Sequence, residues 1–230
     1  KTMKKIFMSL LFLSSVCIAQ NPVIKLANLQ QTATVQNDLK YTVDGIDGHQ
    51  YFLDDWGTGK IIINDSINTV QARIQFDMVS GEPIIGNAHR AKKGFILRDK
   101  SITGFVINNT KFVRIPSSQF QEKMNRKYFV IPMFSNNNYL IVNYSKYLKE
   151  PYVLRNGYND GELNKKYLER KEFYILNKDN KYISLKLKKK EILKVLSDKE
   201  KELTRYTKDN DLNLKNEKDV GELLTYYHSL

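Results

Sequence analysis

The stretch Val70-Gln71-Ala72-Arg73-Ile74-Gln75-Phe76-Asp77-Met78 decides the fold. Its apolar residues Val70, Ala72, Ile74, Phe76 and Met78 alternate with Gln71, Arg73, Gln75 and Asp77. An extended backbone sends successive side chains to opposite faces, so the segment predicts a strand with one face buried and the other in water. Asn64-Asp65-Ser66 before it and Ser80-Gly81-Glu82-Pro83 after it are rich in turn-forming residues. The strand therefore belongs to a series of antiparallel hairpins.

Outward from this strand, residues 60–64, 83–88, 101–107, 111–115, 128–134, 139–147, 172–176 and 181–187 also predict strands. Asn108-Asn109-Thr110, Asn136-Asn137-Asn138 and Lys178-Asp179-Asn180 supply the loops, since Asn tolerates the left-handed backbone that tight hairpins need. Pro132 predicts that its strand lies at an edge or carries a bulge, because proline cannot donate to a ladder. Residues 119–127 suit a loop or a single helical turn, and 156–166 an exposed connection, either a plain flexible loop or one that binds a ligand. Upstream, 20–47 is polar and predicts a tether, with Leu39, Tyr41 and Val43 available as a first strand.

After residue 187 the period changes. Ile192, Leu193, Val195 and Leu196 fit a short helix, and Ser197 with Glu200 has capping-box spacing for another that continues through Leu203 and Tyr206. Asn216 can cap a final helix whose Val220, Leu223, Leu224 and Tyr227 fall on one face. Gly221 inside it costs about 1 kcal/mol relative to Ala, so this helix needs packing to persist. Strands followed by helices predict an α+β fold. The expected form is an antiparallel β-meander over 48–187, as an open sheet or partly closed barrel, followed by C-terminal helices over 188–230 packed on it.

The N-terminal residues read as a targeting segment. Met3-Lys4-Lys5 is a positive lead, residues 6–16 are apolar, and Cys17-Ile18-Ala19 offers small residues ahead of a cut between Ala19 and Gln20. Lys1-Thr2 read as an extension before Met3. The apolar run falls short of the roughly 20 residues that span a bilayer, so no transmembrane span is expected in the mature chain. The alternative is lipidation of Cys17, against which Val16 and Ser14 depart from the usual lipobox. A cut before Gln20 leaves no thiol, which excludes disulfides, zinc-thiolate sites and cysteine catalysis. The formal net charge of +12, less Lys1, Lys4 and Lys5, becomes +9.

Catalytic motifs are sparse. His49, His89 and His228 are far apart in sequence and suit surface or packed positions better than a metal site. Asp54-Asp55 beside Trp56 evokes a sugar-processing carboxylate on an aromatic platform, but neighbours on a strand face opposite ways and a turn fits better. Gly57-Thr58-Gly59-Lys60 lacks the glycine spacing and trailing hydroxyl of a phosphate loop. Gly-x-Ser-x-Gly does not occur. No catalytic, cofactor-binding or metal-ligating residue is assigned, and no cofactor is expected.

Charge is the positive signal. Residues 165–208 hold 15 Lys/Arg against 7 Asp/Glu, nearly all of the mature excess. Lys186, Lys188, Lys189, Lys190 and Lys194 are the candidate contacts for an anionic partner: an envelope protein, anionic lipid or lipopolysaccharide. The plainer alternative is a solvated helix face with lysines guarding an edge strand. Nucleic acid is disfavoured because the targeting segment predicts export.

The Asn64-Asp65-Ser66 hairpin, Lys111-Phe112-Val113-Arg114, and the ending with Lys188-Lys189-Lys190, Leu212 with Leu214, and Leu223-Leu224-Thr225-Tyr226-Tyr227 resemble uncharacterised secreted and envelope proteins of Bacteroidota. The resemblance spans most of the mature chain. It implies an envelope location, periplasmic, outer-membrane-associated or secreted, and brings no activity with it. Asp65-Ser66-Ile67 is similar to an acceptor for O-linked glycans in the same group, which makes Ser66 a candidate for modification; the alternative is a plain hairpin turn. The expected function is a non-enzymatic exported interaction module. A carrier of an apolar ligand, in a cavity lined by such residues as Ile74, Phe76 and Ile141, is the alternative. A hydrolase with His49, His89 and the Asp54 region gathered in one cleft is the weaker one.

Overall fold

All of the alternating stretch but Met78 lies within a strand, Ser66–Asp77, as its period requires. The computed structural model describes residues 34–36, 39–64, 66–87, 90–96, 98, 101–122, 129–134, 137–151 and 164–230. Among these the strands are β1 (Thr34–Gln36), β2 (Ile46–Asp47), β3 (Gly57–Ile63), β4 (Ser66–Asp77), β5 (Glu82–Asn87) and β6 (Arg90–Ile96). They continue as β7 (Ile102–Ile107), β8 (Thr110–Arg114), β9 (Phe129–Pro132), β10 (Leu140–Lys149), β11 (Lys165–Leu176) and β12 (Tyr182–Leu185). The helices α1 (Lys189–Val195), α2 (Glu200–Asp209) and α3 (Glu217–Tyr227) follow. The α+β class holds. The segment 20–47, expected as a tether, contributes β1 and β2; β1 pairs with β6 and β2 with β11.

The sheet is open, not a partly closed barrel, and its order corrects the expectation of one continuous meander. β3 to β6 run outward with β1 beyond them, after which the chain returns to set β7 beside β3, and β7 to β12 extend on the other side. Two meanders thus meet where β3 pairs with β7. The signal for this was Ile61-Ile62-Ile63: adjacent residues face opposite ways, yet Ile61 and Ile62 are both buried, as in a central strand covered on both faces. The sheet is also mixed, since β2 pairs with β11 in parallel.

The polar side of β4 is not wet where the sequence predicted water. Gln75 is 0% and Asp77 7% exposed. The Gln75 side chain donates to the carbonyls of Leu53 and Asp55 and to the Tyr41 hydroxyl, and accepts the Leu53 and Phe76 N–H groups. Asp77 accepts from the Gln50 side chain and the Val79 and Ser80 N–H groups. Residues 41–55 are pinned over this face by side chains that substitute for water.

Two further strands exceed the expectation. β6 lacks alternation, with Ala91-Lys92-Lys93-Gly94 at its centre; Gly94 pairs with Gly86, and the Trp56 ring lies against both. β11 begins at Lys165, not near Glu172, because its charged first half pairs with β10 as far as Lys149. Of the turn asparagines, Asn108 and Asn180 take the left-handed backbone, at φ 50° and 54°, while Asn109, Asn137 and Asn138 do not and Asn136 lies outside the described residues.

Among the described residues, three buried clusters organise the interior. Ala72, Ile74, Phe76 and Met78 belong to the first, where the Phe105 and Phe112 rings stack at 4.7 Å. A second gathers Ile115, Phe120, Val130, Ile141, Tyr174 and Tyr182. In the third, Leu140 and Ile175 share a cluster with Ile192, Leu203, Val220 and Leu224. Asn216 caps α3 by accepting the Lys218 N–H at 2.9 Å, and its four predicted inward residues are buried. Ser197 and Glu200 do not form the expected capping box. Residues Ser197–Lys199 take a 3-10 turn instead, and Lys199 stands before α2 without a side-chain cap.

Candidate functional site

The candidate basic surface is built at the corner between β12 and α1. Leu185 and Leu187 are half-buried against the third cluster, and Ile192, Leu193 and Leu196 are buried in it. The residues between these anchors have nowhere to go but outward, and Lys186, Lys188, Lys189, Lys190 and Lys194 are all exposed. The corner itself is tight: the Lys188 N–H donates to the Lys186 carbonyl at 2.7 Å, and the Lys186 N–H donates to the Glu191 carboxylate at 2.8 Å. Lys190 and Lys194, four residues apart in α1, share a helix face.

Four other cations of the stretch 165–208 are paired. Lys165 pairs with Glu150, Arg170 with Glu172, Lys178 with Asp198 and Arg205 with Asp209. Lys171 lies over the Tyr144 ring at 4.8 Å, and Arg170 over Tyr147 at 5.8 Å. Among the described residues, no carboxylate stands within ion-pairing distance of the five corner lysines.

The histidine and carboxylate candidates come together only in part. His49 Nε2 lies 3.0 Å from Asp54 Oδ1, while its Nδ1 accepts the Tyr51 N–H at 3.2 Å. A backbone N–H can only donate, so Nδ1 must accept and Nε2 must carry the proton directed at Asp54. Both nitrogens are engaged, and neither offers a lone pair to a substrate. Tyr41 and Tyr51 flank the ring at 5.2 and 5.8 Å. Burial, with Asp77 nearby, pushes the Tyr51 hydroxyl up to about 12, so it stays protonated. Lys146 donates to the Tyr51 carbonyl at 2.8 Å, and burial lowers its pKa. His89 lies outside the described residues. His228 is remote in the fold, stacked on Tyr139 at 3.8 Å and bonded to the Leu176 carbonyl. Among the described residues, no three His, Cys, Asp or Glu side chains are grouped to hold a metal ion.

The other sequence motifs are structural. Trp56 is half-buried with Arg73 over its ring at 5.4 Å, so its face is taken. Gly57 to Lys60 begin β3, and a Cβ on Gly59 would overlap the Val106 carbonyl oxygen. Ser66 is the first residue of β4, paired with Ile63 beside the hairpin turn. Asp65, Cys17, Ala19, Gln20 and residues 156–163 lie outside the described residues. Among those described, no helix is long and apolar enough to cross a membrane.

A groove of about 590 Å³ opens between the β7–β8 turn and the end of β9. Asn109, Thr110 and Lys111 form one wall; Ile131, Pro132, Met133 and Phe134, with Asn138, form the other. Ile74, Phe76 and Ile141, expected to line a carrier's cavity, do not line it; they are 0%, 1% and 0% exposed and sit in two different clusters. Sequence reasoning missed this groove, although Pro132 carried its signal. Compared against protein-family models, curated proteins and solved structures, the chain matches none.

Proposed function

We propose that the protein is a non-enzymatic exported envelope component that docks on an anionic surface through Lys186, Lys188, Lys189, Lys190 and Lys194. Anionic lipid or the phosphates of lipopolysaccharide supply the complementary charge, or an acidic face of another exported protein. In this reading the helical ending docks on the sheet through the cluster shared by Leu140, Ile175 and the helices, and so holds the lysine corner rigidly outward. The observation that carries the proposal is the corner itself, five exposed lysines whose ammonium groups have, among the described residues, no carboxylate in pairing distance, whereas Arg170, Lys178 and Arg205 are paired. Export rests on the targeting segment and the resemblance described above.

Cosedimentation with phosphatidylglycerol vesicles tests this. Binding is expected at about 0.05 M salt and should fall sharply by about 0.5 M, where screening shortens the reach of surface charge. A protein carrying K188E, K189E and K190E should lose most of it. Equal binding at both salt concentrations, or by the triple variant, would overturn the proposal.

A further inference from the structure

The ladder between β8 and β9 stops after two pairs, Arg114 with Phe129 and Val113 with Val130. One more step of two residues would set Lys111 opposite Pro132. The hydrogen-bonding sense of each strand shows why that step fails. On β8, Ile107 and Thr110 flank the Asn108-Asn109 turn and form its closing hydrogen-bonded pair. The backbone groups of Thr110 and Phe112 therefore point to β7, and those of Lys111 and Val113 point the other way, to β9.

The β9 side agrees independently. Met133 donates its N–H to the Leu140 carbonyl at 3.0 Å, so Met133 and Ile131 face β10 while Val130 and Pro132 face β8. Pro132 has no N–H to offer the Lys111 carbonyl. The strands part there, and the groove of about 590 Å³ is the result. The Lys111 carbonyl, which the geometry aims at Pro132, gets no N–H from it and faces a cleft whose far wall includes Ile131, Met133 and Phe134.

We infer that this groove accepts an extended acidic-apolar peptide from another protein, laid along the Lys111 end of β8 where its pairing with β9 has stopped. Strand addition supplies the N–H that Pro132 cannot give the Lys111 carbonyl, and alternate side chains of the peptide reach the apolar wall. Groove size fits: ligand pockets run from about 300 to 1,000 Å³. The Lys111 ammonium at the rim and the basic balance of the chain, +12 in full and still basic without Lys1, Lys4 and Lys5, select acidic residues beside the apolar anchor. Asn109 and Asn138 supply amides that can hold the peptide's ends. This site is separate from the lysine corner and stands without it.

The test is fluorescence anisotropy with a short capped, dye-labelled peptide in which Glu alternates with Val around a central Phe. Saturable binding is expected. N-methylation of the peptide nitrogens of one alternation should weaken it about tenfold, and of the other alternation hardly at all, because only one set faces the β8 edge. Met133→Trp should fill the groove and abolish binding, and Lys111→Glu, an exposed change, should shift preference to a Lys-for-Glu peptide. Absence of saturable binding, a response to N-methylation that ignores alternation, or undiminished binding by Met133→Trp overturns the inference. Preference of the native protein for the Lys peptide overturns the acidic partner.

Discussion

Gln75 carries more of this molecule than its place in an alternating strand suggests. Its amide holds five backbone and side-chain partners in a site with no solvent exposure. Gln75→Leu fills the space but strips Leu53, Asp55 and Tyr41 of partners in part-buried bonds and the Phe76 N–H of its partner in a buried one. A loss of about 3 kcal/mol or more is expected in urea unfolding; a change under half of that would mean residues 41–55 reach water freely. The alternation itself was legible, while the burial of its polar side was not, because a polar residue looks the same whether water or a loop serves it. His228 gives a second residue-scale expectation. Burial lowers its pKa, only partly offset by the bond to the Leu176 carbonyl. A folded-state pKa below the unfolded value of about 6.5 means that the unfolded chain takes the proton first, so this stabilisation is complete above that pH and declines as pH falls through it. His228→Gln keeps a donor without the titration. The stability difference between native protein and variant should therefore shift toward the variant between pH values of about 7.5 and 5; a constant difference would refute the assignment.

At the scale of elements, α3 explains its own weakness. Gly221 reads in the sequence as a helix defect worth about 1 kcal/mol, yet a Cβ there would overlap the Phe134 ring. The glycine is what lets that ring approach the helix. Gly221→Ala, stabilising in an exposed helix, should here destabilise by about 1–3 kcal/mol, with much of the loss recovered when Phe134→Leu is added. Additive effects in a thermal-denaturation cycle would contradict the contact. Asn216 and the spacing of Val220, Leu223, Leu224 and Tyr227 made this helix readable from pattern alone. β6 and the first half of β11 were not readable, since Lys92-Lys93-Gly94 and Glu169-Arg170-Lys171 break the apolar alternation; ladder pairing with β5 and β10 decides those segments.

For the whole molecule, period-two sidedness delivered the class of fold but not the strand order. Local pattern names strands; it does not say which distant strand a central one prefers, and only the run Ile61-Ile62-Ile63 hinted that β3 would be covered on both faces. The basic corner was legible as charge, and its exposure followed from the apolar anchors beside it. The groove was not, because it arises where a pairing fails, and a missing hydrogen bond leaves no periodic mark. A β-rich fold joined by the distant pairings of β3 with β7, β1 with β6 and β2 with β11 should fold in milliseconds to seconds, a range that stopped-flow refolding can read. A refolding completed in microseconds would show that local contacts dominate.

The seam where β7 joins β3 makes each half of the sheet the other's missing edge. A break in the connection from β6 to β7 would give two pieces, one exposing the bare side of β3 and the other the bare side of β7. Alone, each invites promiscuous strand pairing; mixed, they should recombine, which makes this seam the natural place to divide the protein for fragment complementation.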